Sequence, residues 1–323
     1  MKKQVKKIAF VVSEFPVVSQ TWLLSQVTGL IDCGIEVDIY TLQQVDGENI
    51  DEDYFSYKLS ERTYNLDFPK NIVLRIFTAL PLFVKLLFTS PKTLLRVLNI
   101  FEYGKEALSL KLLFKVYPFV GKENEYDLIH CHFGTVANKF IPVKEILGLT
   151  QPHLCTFYGY DISHIPQEKG VDVYDNVVKH FDQFLVMSEN MKSRAVAIGI
   201  PSERTLVHPI SINIEDYSYH ERVLENNEVI KMMSVGRFVE KKGYDDLIKA
   251  LAIVKKETAI PFTFDLVGDG TLRPELEALV DSESVRDVLS FQGYMKPDDI
   301  QKLYKKTHLY IQPSKTASDG DME

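Results

Sequence analysis

The sequence has few cysteines, one tryptophan and no excess of positive charge. Cys33, Cys131 and Cys155 lie within apolar runs without C-x-x-C spacing, which indicates reduced, buried thiols in a cytosolic protein rather than a disulfide framework. The net charge of −8 over 323 residues argues against a general nucleic-acid-binding protein, which needs a basic surface to displace counterions. An apolar share of 45% and a charged share of 25% exclude the disordered and fibrous classes, and the length suits two globular domains.

Neither a signal peptide nor an apolar run of membrane-spanning length is expected from the sequence. The apolar run near the N-terminus leads into Ser13 and Glu14 without a small-residue cleavage site, so a first β-strand is expected there. Further along, Arg75 and Lys85 interrupt IVLRIFTALPLFVKLLF, which leaves fewer than the ~20 consecutive apolar residues that cross a bilayer.

The segment 69–122 is basic although the chain as a whole is acidic. It contains nine lysines and arginines against two glutamates, a net charge of +7, among many leucine, phenylalanine, valine and isoleucine residues. This combination is typical of helices that lie on an anionic membrane surface. The alternative is that these helices pack on the first domain, with their lysines as a solvated rim.

Two series of apolar runs alternate with helical patterns along the chain. They predict β-strands at 7–13, 36–42, 127–133, 153–158 and 183–188, and then at 229–236, 262–268, 288–293 and 308–313. Such alternation predicts parallel sheets covered on both faces. We therefore expect an α/β fold of two tandem doubly wound Rossmann-like domains. The first would be residues 1–219, with a basic helical insertion at about 45–122, and the second residues 220–323, beginning with the linker HERVLENNE.

Four segments of the second domain follow predicted strands, where ligands bind in such folds. In VGRFVEKKG, Arg237 and Lys242 precede the helix that Gly243 opens, and two cations beside free helix N–H groups suit a diphosphate. A solvated basic loop is the alternative. The other three patterns are less specific: the tight turn Gly268-Asp269-Gly270, the backbone groups of Gln292-Gly293-Tyr294, and the acidic run 318–323.

In this order and spacing the segments resemble the retaining glycosyltransferases of the GT-B fold, specifically the glycosyltransferase group 1 family (family 4). In the first domain, SEFPVVSQTWLLSQVTGL is similar to that family's opening strand, loop and helix, and IHCHFGTVA and TFYGYDIS are similar to its acceptor-side segments. The resemblance covers essentially the whole chain. It implies a ligand cleft between the carboxyl ends of two sheets, retention of anomeric configuration, and no required divalent metal or other cofactor.

The resemblance also implies roles for single residues. Arg237 and Lys242 would neutralise the donor diphosphate. Glu323 would be the first glutamate of the family's E-x7-E motif, and the second would lie beyond the last residue, so the second domain is expected to be incomplete. The remaining donor-side residues would be Gly236, Gly268, Asp269, Gly270, Gln292 and Gly293, and the acceptor-side residues Ser19, Tyr158 and Asp161.

One departure from the family pattern is Tyr158, which stands where the family commonly has a cleft histidine. A tyrosine can hydrogen-bond a sugar hydroxyl or a phosphate, but it cannot replace imidazole as a base near neutral pH. His132, at the end of the strand 127–133, could supply an imidazole nearby, or it could be a packed core histidine. Asp161 is expected at the same cleft edge.

The sequence thus predicts a hexosyltransferase-type enzyme that moves a sugar from a nucleotide-diphosphate donor to a glycan or lipid-linked acceptor. Bacterial exopolysaccharide or lipopolysaccharide assembly is the expected setting, in the cytoplasm or peripherally on the inner face of the plasma membrane, with no nucleic-acid partner. Two alternatives stay open: a nucleotide-sugar epimerase on the same fold, and a catalytically inactive nucleotide-sugar-binding or membrane-scaffold fragment. A truncated chain is expected to be a weak catalyst with a marginally stable second domain.

Overall fold

The computed structural model of the protein describes residues 4–17, 20–43, 52–211, 214, 219, 221–225 and 228–322. The chain divides into two compact units, residues 1–212 and 213–323, and each is described by itself. The sequence predicts this boundary seven residues later, at 219/220.

The first unit is built around a parallel sheet. Its strands are β1 Lys7–Glu14, β2 Glu36–Gln43, β3 Thr63–Asn65, β4 Leu128–His132, β5 His153–Thr156, β6 Gln183–Val186 and β7 Thr205–Val207. Their order in the sheet is β3-β2-β1-β4-β5-β6-β7, and every neighbouring pair is parallel. The strand order reverses between β1 and β4, and ligands of doubly wound sheets bind at such a switch point.

Helices cover both faces of this sheet. Alternate residues of β1 enter different apolar clusters: Ala9 and Val11 join one, while Ile8, Phe10 and Val12 join the other. This explains why the strand is apolar throughout rather than alternating. The helices are α1 Thr21–Asp32, α2 Glu52–Ser56, α3 Ile72–Thr89, α4 Pro91–Val97, α5 Ile100–Leu108, α6 Lys111–Val116, α7 Gly134–Leu147, α8 Gly159–Lys169, α9 Asp175–His180 and α10 Glu189–Ala197.

The second unit contains a smaller parallel sheet with the order β10-β9-β8-β11. Its elements are β8 Ile230–Val235, α11 Tyr244–Glu257, β9 Phe262–Val267, α12 Arg273–Ser282, β10 Leu289–Gly293, α13 Pro297–Tyr304 and β11 Leu309–Tyr310. Helix α11 carries two aspartates in its first turn and two lysines in its last, matching the helix dipole. Its apolar face packs with the sheet in one core cluster.

Four sequence-based expectations need correction. Cys33 is exposed, whereas three buried thiols were expected. The short strands β3 and β7 were not predicted, and β11 covers only 309–310 of the predicted 308–313, since Pro313 has no N–H for a ladder. The expectation that charged residues exclude a helix of membrane-spanning length is wrong. Helix α3 has 18 residues, a mean hydropathy of 2.0 and only 17% of its residues buried, so it is long and apolar enough to cross a membrane. Core helices of soluble proteins and signal sequences share this length and composition, so these two properties alone do not identify a membrane span.

Candidate functional site

Three turns of the second unit meet, backbone to backbone, at the carboxyl end of its sheet. A Cβ on Gly268 would lie 2.0 Å from the Gly236 carbonyl oxygen, and a Cβ on Gly270 would lie 2.6 Å from the Phe238 nitrogen. The Gly268 N–H donates to the Gly293 carbonyl over 2.8 Å. The structure therefore brings the predicted donor-side glycines at the ends of β8, β9 and β10 into one small region, and at Gly268 and Gly270 the neighbouring backbone is too close for a side chain to fit.

Both predicted cations belong to the turn after β8. Arg237 is exposed, while Lys242 is partly buried. A Cβ on Gly236 would lie 3.2 Å from Cε of Lys242, so this side chain runs along the glycine turn. The turn ends at Gly243, where α11 begins. Cations beside a helix N-terminus form an electropositive corner that suits phosphate oxygens.

Two aspartates in the first turn of α11 would weaken this corner if nothing balanced them. The Lys315 ammonium lies 2.7 Å from Asp245 and 3.0 Å from Asp246. Burial by itself raises the pKa of Asp245, but the Lys315 hydrogen bond and charge outweigh it and hold the pKa below its usual value. The sequence analysis missed Lys315, which has no recognisable motif around it.

The predicted donor-side residues Asp269 and Gln292 have polar partners within the unit. Asp269 accepts a hydrogen bond from the Gly270 N–H over 2.8 Å and pairs with Arg273 over 3.2 Å. Gln292 donates to Asp265 over 2.6 Å. These side chains fix the turns. Arg273 is a further cation at this edge. Its ion pair could have been predicted from its position four residues after Asp269.

The acidic run near residue 320 is tied to the turn after β8. Ser318 donates to Glu240 from both its N–H, over 3.0 Å, and its hydroxyl, over 2.7 Å. Asp321 pairs with Lys241 over 3.0 Å. Part of the negative charge expected to hold a sugar or ribose is therefore balanced inside the unit. Glu323 and Ser19 lie outside the described residues.

In the first unit, Tyr158 follows β5 and lines a pocket of about 40 Å³. This volume suits a hydroxyl group or a water molecule rather than a whole sugar ring. The Trp22 ring lies 4.6 Å from the Tyr158 ring. The pocket is lined by Trp22, Gln26, Thr156, Tyr158, Met187, His208, Pro209, Ile210 and Ser211.

His132 lies behind Tyr158 rather than in the pocket. Its Nδ1 is 2.9 Å from the Tyr158 hydroxyl, and its side chain is fully buried. Burial and the neighbouring His130 ring lower the pKa of His132 well below its ordinary value, so the imidazole is neutral. Burial raises the pKa of Tyr158, so the phenol keeps its proton. The polar group that this pair offers to the pocket is a neutral hydroxyl.

Asp161 is not at a cleft edge, which corrects the sequence-based expectation. It is completely buried and accepts a hydrogen bond from the Tyr158 N–H over 3.1 Å at the start of α8. The Tyr174 hydroxyl also donates to it, over 3.3 Å. Burial raises the pKa of Asp161 to about 6, although these donors and the N–H groups at the start of α7 oppose the shift. Asp161 therefore holds the backbone that carries Tyr158.

Phe133, which the sequence analysis missed as a site residue, lies beside Tyr158 with ring centroids 4.6 Å apart. Its φ of +77° is a conformation that residues with a side chain rarely adopt. Such strain, of order 1–3 kcal/mol, is concentrated at functional sites. Within the described part of the chain, no group of three or more histidine, cysteine, aspartate or glutamate residues could hold a metal ion.

Comparison with known proteins finds a family match in the second unit and solved structures with a similar fold. Residues 217–320 match the family of glycosyl transferases group 1. The solved structure of HepE from Anabaena with UDP and glucose has a TM-score of 0.63 at 16% identity, covering 98% of this chain and 76% of HepE. Sucrose-phosphate synthase from Thermosynechococcus elongatus has a TM-score of 0.61 at 15% identity, covering 96% and 75%. These likenesses confirm the predicted α/β fold of the GT-B kind, with two Rossmann-like sheets.

The sequence relationship extends over nearly the whole chain. The chain is 30% identical, over 329 residues, to the amylovoran biosynthesis glycosyltransferase AmsK of Erwinia amylovora. The match covers 98% of this chain and 77% of AmsK. With this identity and coverage, the protein belongs to the glycosyl transferases group 1 family.

Proposed function

We propose that the protein is a retaining glycosyltransferase of family 4. It moves a hexose from a nucleotide-diphosphate sugar to a glycan or lipid-linked acceptor in exopolysaccharide assembly, at the cytoplasmic face of the membrane. The name of AmsK assigns that relative to amylovoran biosynthesis, and HepE is solved in complex with UDP and glucose. Both support this choice of setting and donor class.

The observation that carries this proposal is the meeting of the glycine turns beside Arg237 and Lys242. A diphosphate can approach the backbone closely where side chains are absent, and Lys242 directly precedes Gly243 at the N-terminus of α11, with Arg237 in the same turn next to Gly236. In the reaction, the bond between the sugar C1 and the diphosphate oxygen breaks, the acceptor oxygen bonds to C1, and the acceptor proton passes to the departing diphosphate oxygen. Negative charge therefore grows on the diphosphate, where Arg237 and Lys242 would stabilise it.

On the acceptor side, we assign Tyr158 the task of orienting a sugar hydroxyl through its phenol. His132 then acts as a positioning residue, because its Nδ1 fixes the phenol and its own ring is enclosed. Neither group would serve as the base, since one is a neutral buried imidazole and the other a phenol with a raised pKa. The Asp161 carboxylate supports the same loop.

The proposal can be tested by replacing the two basic residues that would stabilise the diphosphate. Arg237→Ala and Lys242→Ala should each lower kcat by about 10²–10³, the effect of removing one donor to a developing anion. Lys256→Ala, at an exposed lysine in the last turn of α11, is the matched control and should change little. The measurement is release of nucleoside diphosphate from UDP-, GDP- and ADP-sugars in the presence of a bacterial lipid extract. Parental rates in both variants would place the diphosphate site elsewhere.

The same assay separates the alternatives. An epimerase would change the donor sugar in the absence of any acceptor, which NMR of the recovered nucleotide sugar detects. A protein that binds donor by calorimetry but releases no diphosphate with any acceptor would be the inactive binding fragment. Transfer that needs an acceptor and leaves the unreacted donor unchanged supports the glycosyltransferase.

A further inference from the structure

Helix α3 has two cationic side chains, and one of them, Arg75, is directed into the protein. Arg75 is only 6% exposed, and its guanidinium donates three hydrogen bonds to backbone carbonyl groups. The acceptors are the carbonyl oxygens of Pro69 at 2.8 Å, Lys70 at 3.1 Å and Ser109 at 3.2 Å. The charge that interrupts the apolar segment in the sequence is therefore withdrawn from the outer surface of the helix.

The opposite face of α3 is apolar and exposed. Val73, Phe77, Leu80, Val84 and Phe88 recur at intervals of four, three, four and four residues, which places them in one stripe along the helix. Their exposed fractions are 58%, 68%, 62%, 46% and 81%. The second cation of the helix, Lys85, lies outside this stripe, with its Nζ 5.3 Å from the Tyr117 ring centroid. A contiguous exposed apolar face of this kind marks an interaction site.

The inner face of α3 belongs to the protein core. Ala79 and Leu86 are 3% and 0% exposed and join the main apolar cluster of the first unit. Lipid could surround the helix on all sides only if this packing were lost. The geometry thus favours contact with lipid along one side only.

The segment that contains α3 also carries exposed cations, and these complement anionic headgroups. Lys70, Lys92 and Lys105 are exposed near the ends of the helices that follow one another in this segment. The helices that follow α3 also form a groove of about 430 Å³, which is lined by Lys92, Leu95, Arg96, Leu98, Asn99, Ile100 and Phe101. Phe101 is 97% exposed.

We propose that α3 lies in the plane of an anionic phospholipid surface and inserts its outer face, Val73 to Phe88, at the boundary between headgroups and acyl chains. Such a membrane surface would bring the enzyme to a lipid-linked acceptor. Only this link to the acceptor rests on the proposed function. Attachment is mainly apolar, because several cations of the 69–122 segment are engaged within the protein. Besides Arg75, Lys115 pairs with Glu106 over 3.0 Å, and Lys122 lies 3.5 Å from the Tyr64 ring centroid.

The experiment is flotation of the full chain with unilamellar vesicles of phosphatidylcholine alone or mixed with phosphatidylglycerol. Binding to the mixed vesicles should fall less than about threefold from about 0.1 M to about 1 M NaCl, although the Debye length shrinks from about 10 to about 3 Å. Phe77→Glu with Phe88→Glu should reduce binding at least about tenfold, since each buried phenylalanine contributes substantially to insertion. Ile253→Glu with Ile260→Glu, both 55% exposed in the second unit, is the matched control and should leave binding unchanged.

Three outcomes would overturn the inference. Binding that disappears at high salt and ignores the double phenylalanine variant would show electrostatic attachment alone. Absence of vesicle binding, together with a dimer in light scattering that the same variant dissociates, would identify α3 as a contact between copies of this chain. Resistance to alkaline carbonate extraction from cell membranes would show a spanning helix.

Donor binding by calorimetry, done without vesicles, keeps this test separate from the proposed function. The double phenylalanine variant should bind a nucleotide sugar as the parental chain does. Vesicle binding without any donor binding would remove the proposed function and leave the membrane surface standing.

Discussion

Gly268 occupies a position that no other residue type fits without movement of the backbone. Its φ is +131°, and a Cβ would lie 2.0 Å from the Gly236 carbonyl oxygen. Two nearby glycines separate these effects. Gly270 has only the close contact, with Phe238 atoms 2.6 Å from a Cβ, whereas Gly293 has a φ of +70° and nothing nearer than an Arg273 nitrogen at 4.0 Å. Gly270 and Gly293 therefore serve as controls that separate the effect of close contact from that of a positive φ.

We expect Gly268→Ala to destabilise the second unit by more than about 3 kcal/mol, the upper end of ordinary single substitutions, because strain and collision add. Gly293→Ala should cost about 1–2 kcal/mol, the usual penalty for a left-handed residue with a side chain. Gly270→Ala should fall between them. Urea unfolding followed by hydrogen exchange across 230–310 measures this order. Equal effects of all three would mean that the turns do not touch as described.

The sequence shows which residues lie near the ends of strands, but it does not show how deeply each side chain is buried. Tyr158, His132 and Asp161 all follow strands of the first unit, and the sequence places all of them near one cleft edge. The structure leaves 9% of Tyr158 exposed and encloses the other two completely. Depth depends on which distant side chains pack over a residue, and Trp22 and Tyr174 belong to different elements of the chain. Single-sequence patterns contain no information on that packing.

At the level of elements, apolar periodicity predicted most strands and the helices around them, because long buried strands are apolar throughout. The three-residue strands β3 and β7 lie at the sheet edges and carry too few residues for a periodic signal. Helix α3 shows a different limit. Arg75 and Lys85 count as surface charges in the sequence, and only the carbonyl groups around Arg75 show that its charge points inward.

The link between Lys315 and α11 leads to a prediction about donor affinity. The Lys315 ammonium neutralises Asp245 and Asp246, which would otherwise repel a diphosphate at the start of the helix. Lys315→Met should weaken nucleotide-sugar binding by roughly 1 kcal/mol, a modest value because these side chains are partly exposed. Lys315→Arg should restore most of the affinity.

Lys302→Met is the matched control for this prediction, because Lys302 pairs with Asp299 over 2.8 Å on the exposed side of α13. Calorimetric titration with a nucleotide sugar gives the comparison. If Lys315→Met and Lys302→Met bind donor equally well, the aspartates do not act on the diphosphate corner.

For the whole molecule, buried histidines make the two units respond differently to acid. His130, His132 and His153 are all buried in the first unit. Burial lowers the pKa of His130 to about 3 and that of His153 to about 4, and it lowers the pKa of His132 well below its ordinary value. Among the described residues, the second unit has one histidine, His308, which is partly exposed.

The sign follows from proton counting. Below a pH of about 6.5 the unfolded first unit binds protons at these histidines that the folded unit excludes, so its stability falls as the pH drops toward 4. Asp161 acts in the opposite direction between about pH 4 and 6, because its raised pKa makes the folded state bind the proton. It is one group against three, so the net effect is acid destabilisation of the first unit.

We therefore predict that urea unfolding of the first unit shifts to lower urea between pH 7 and pH 5 by more than that of the second unit. The single tryptophan, Trp22, lies in the first unit and reports on it by fluorescence, while hydrogen exchange of 230–310 reports on the other. His153→Leu keeps a buried apolar side chain of similar size between Phe140 and Phe181 and removes the titration, so it should flatten the pH dependence between pH 7 and pH 5 by up to about 2 kcal/mol. A first unit whose Trp22 transition moves no more than the second with pH would show that the three rings are not held neutral by burial.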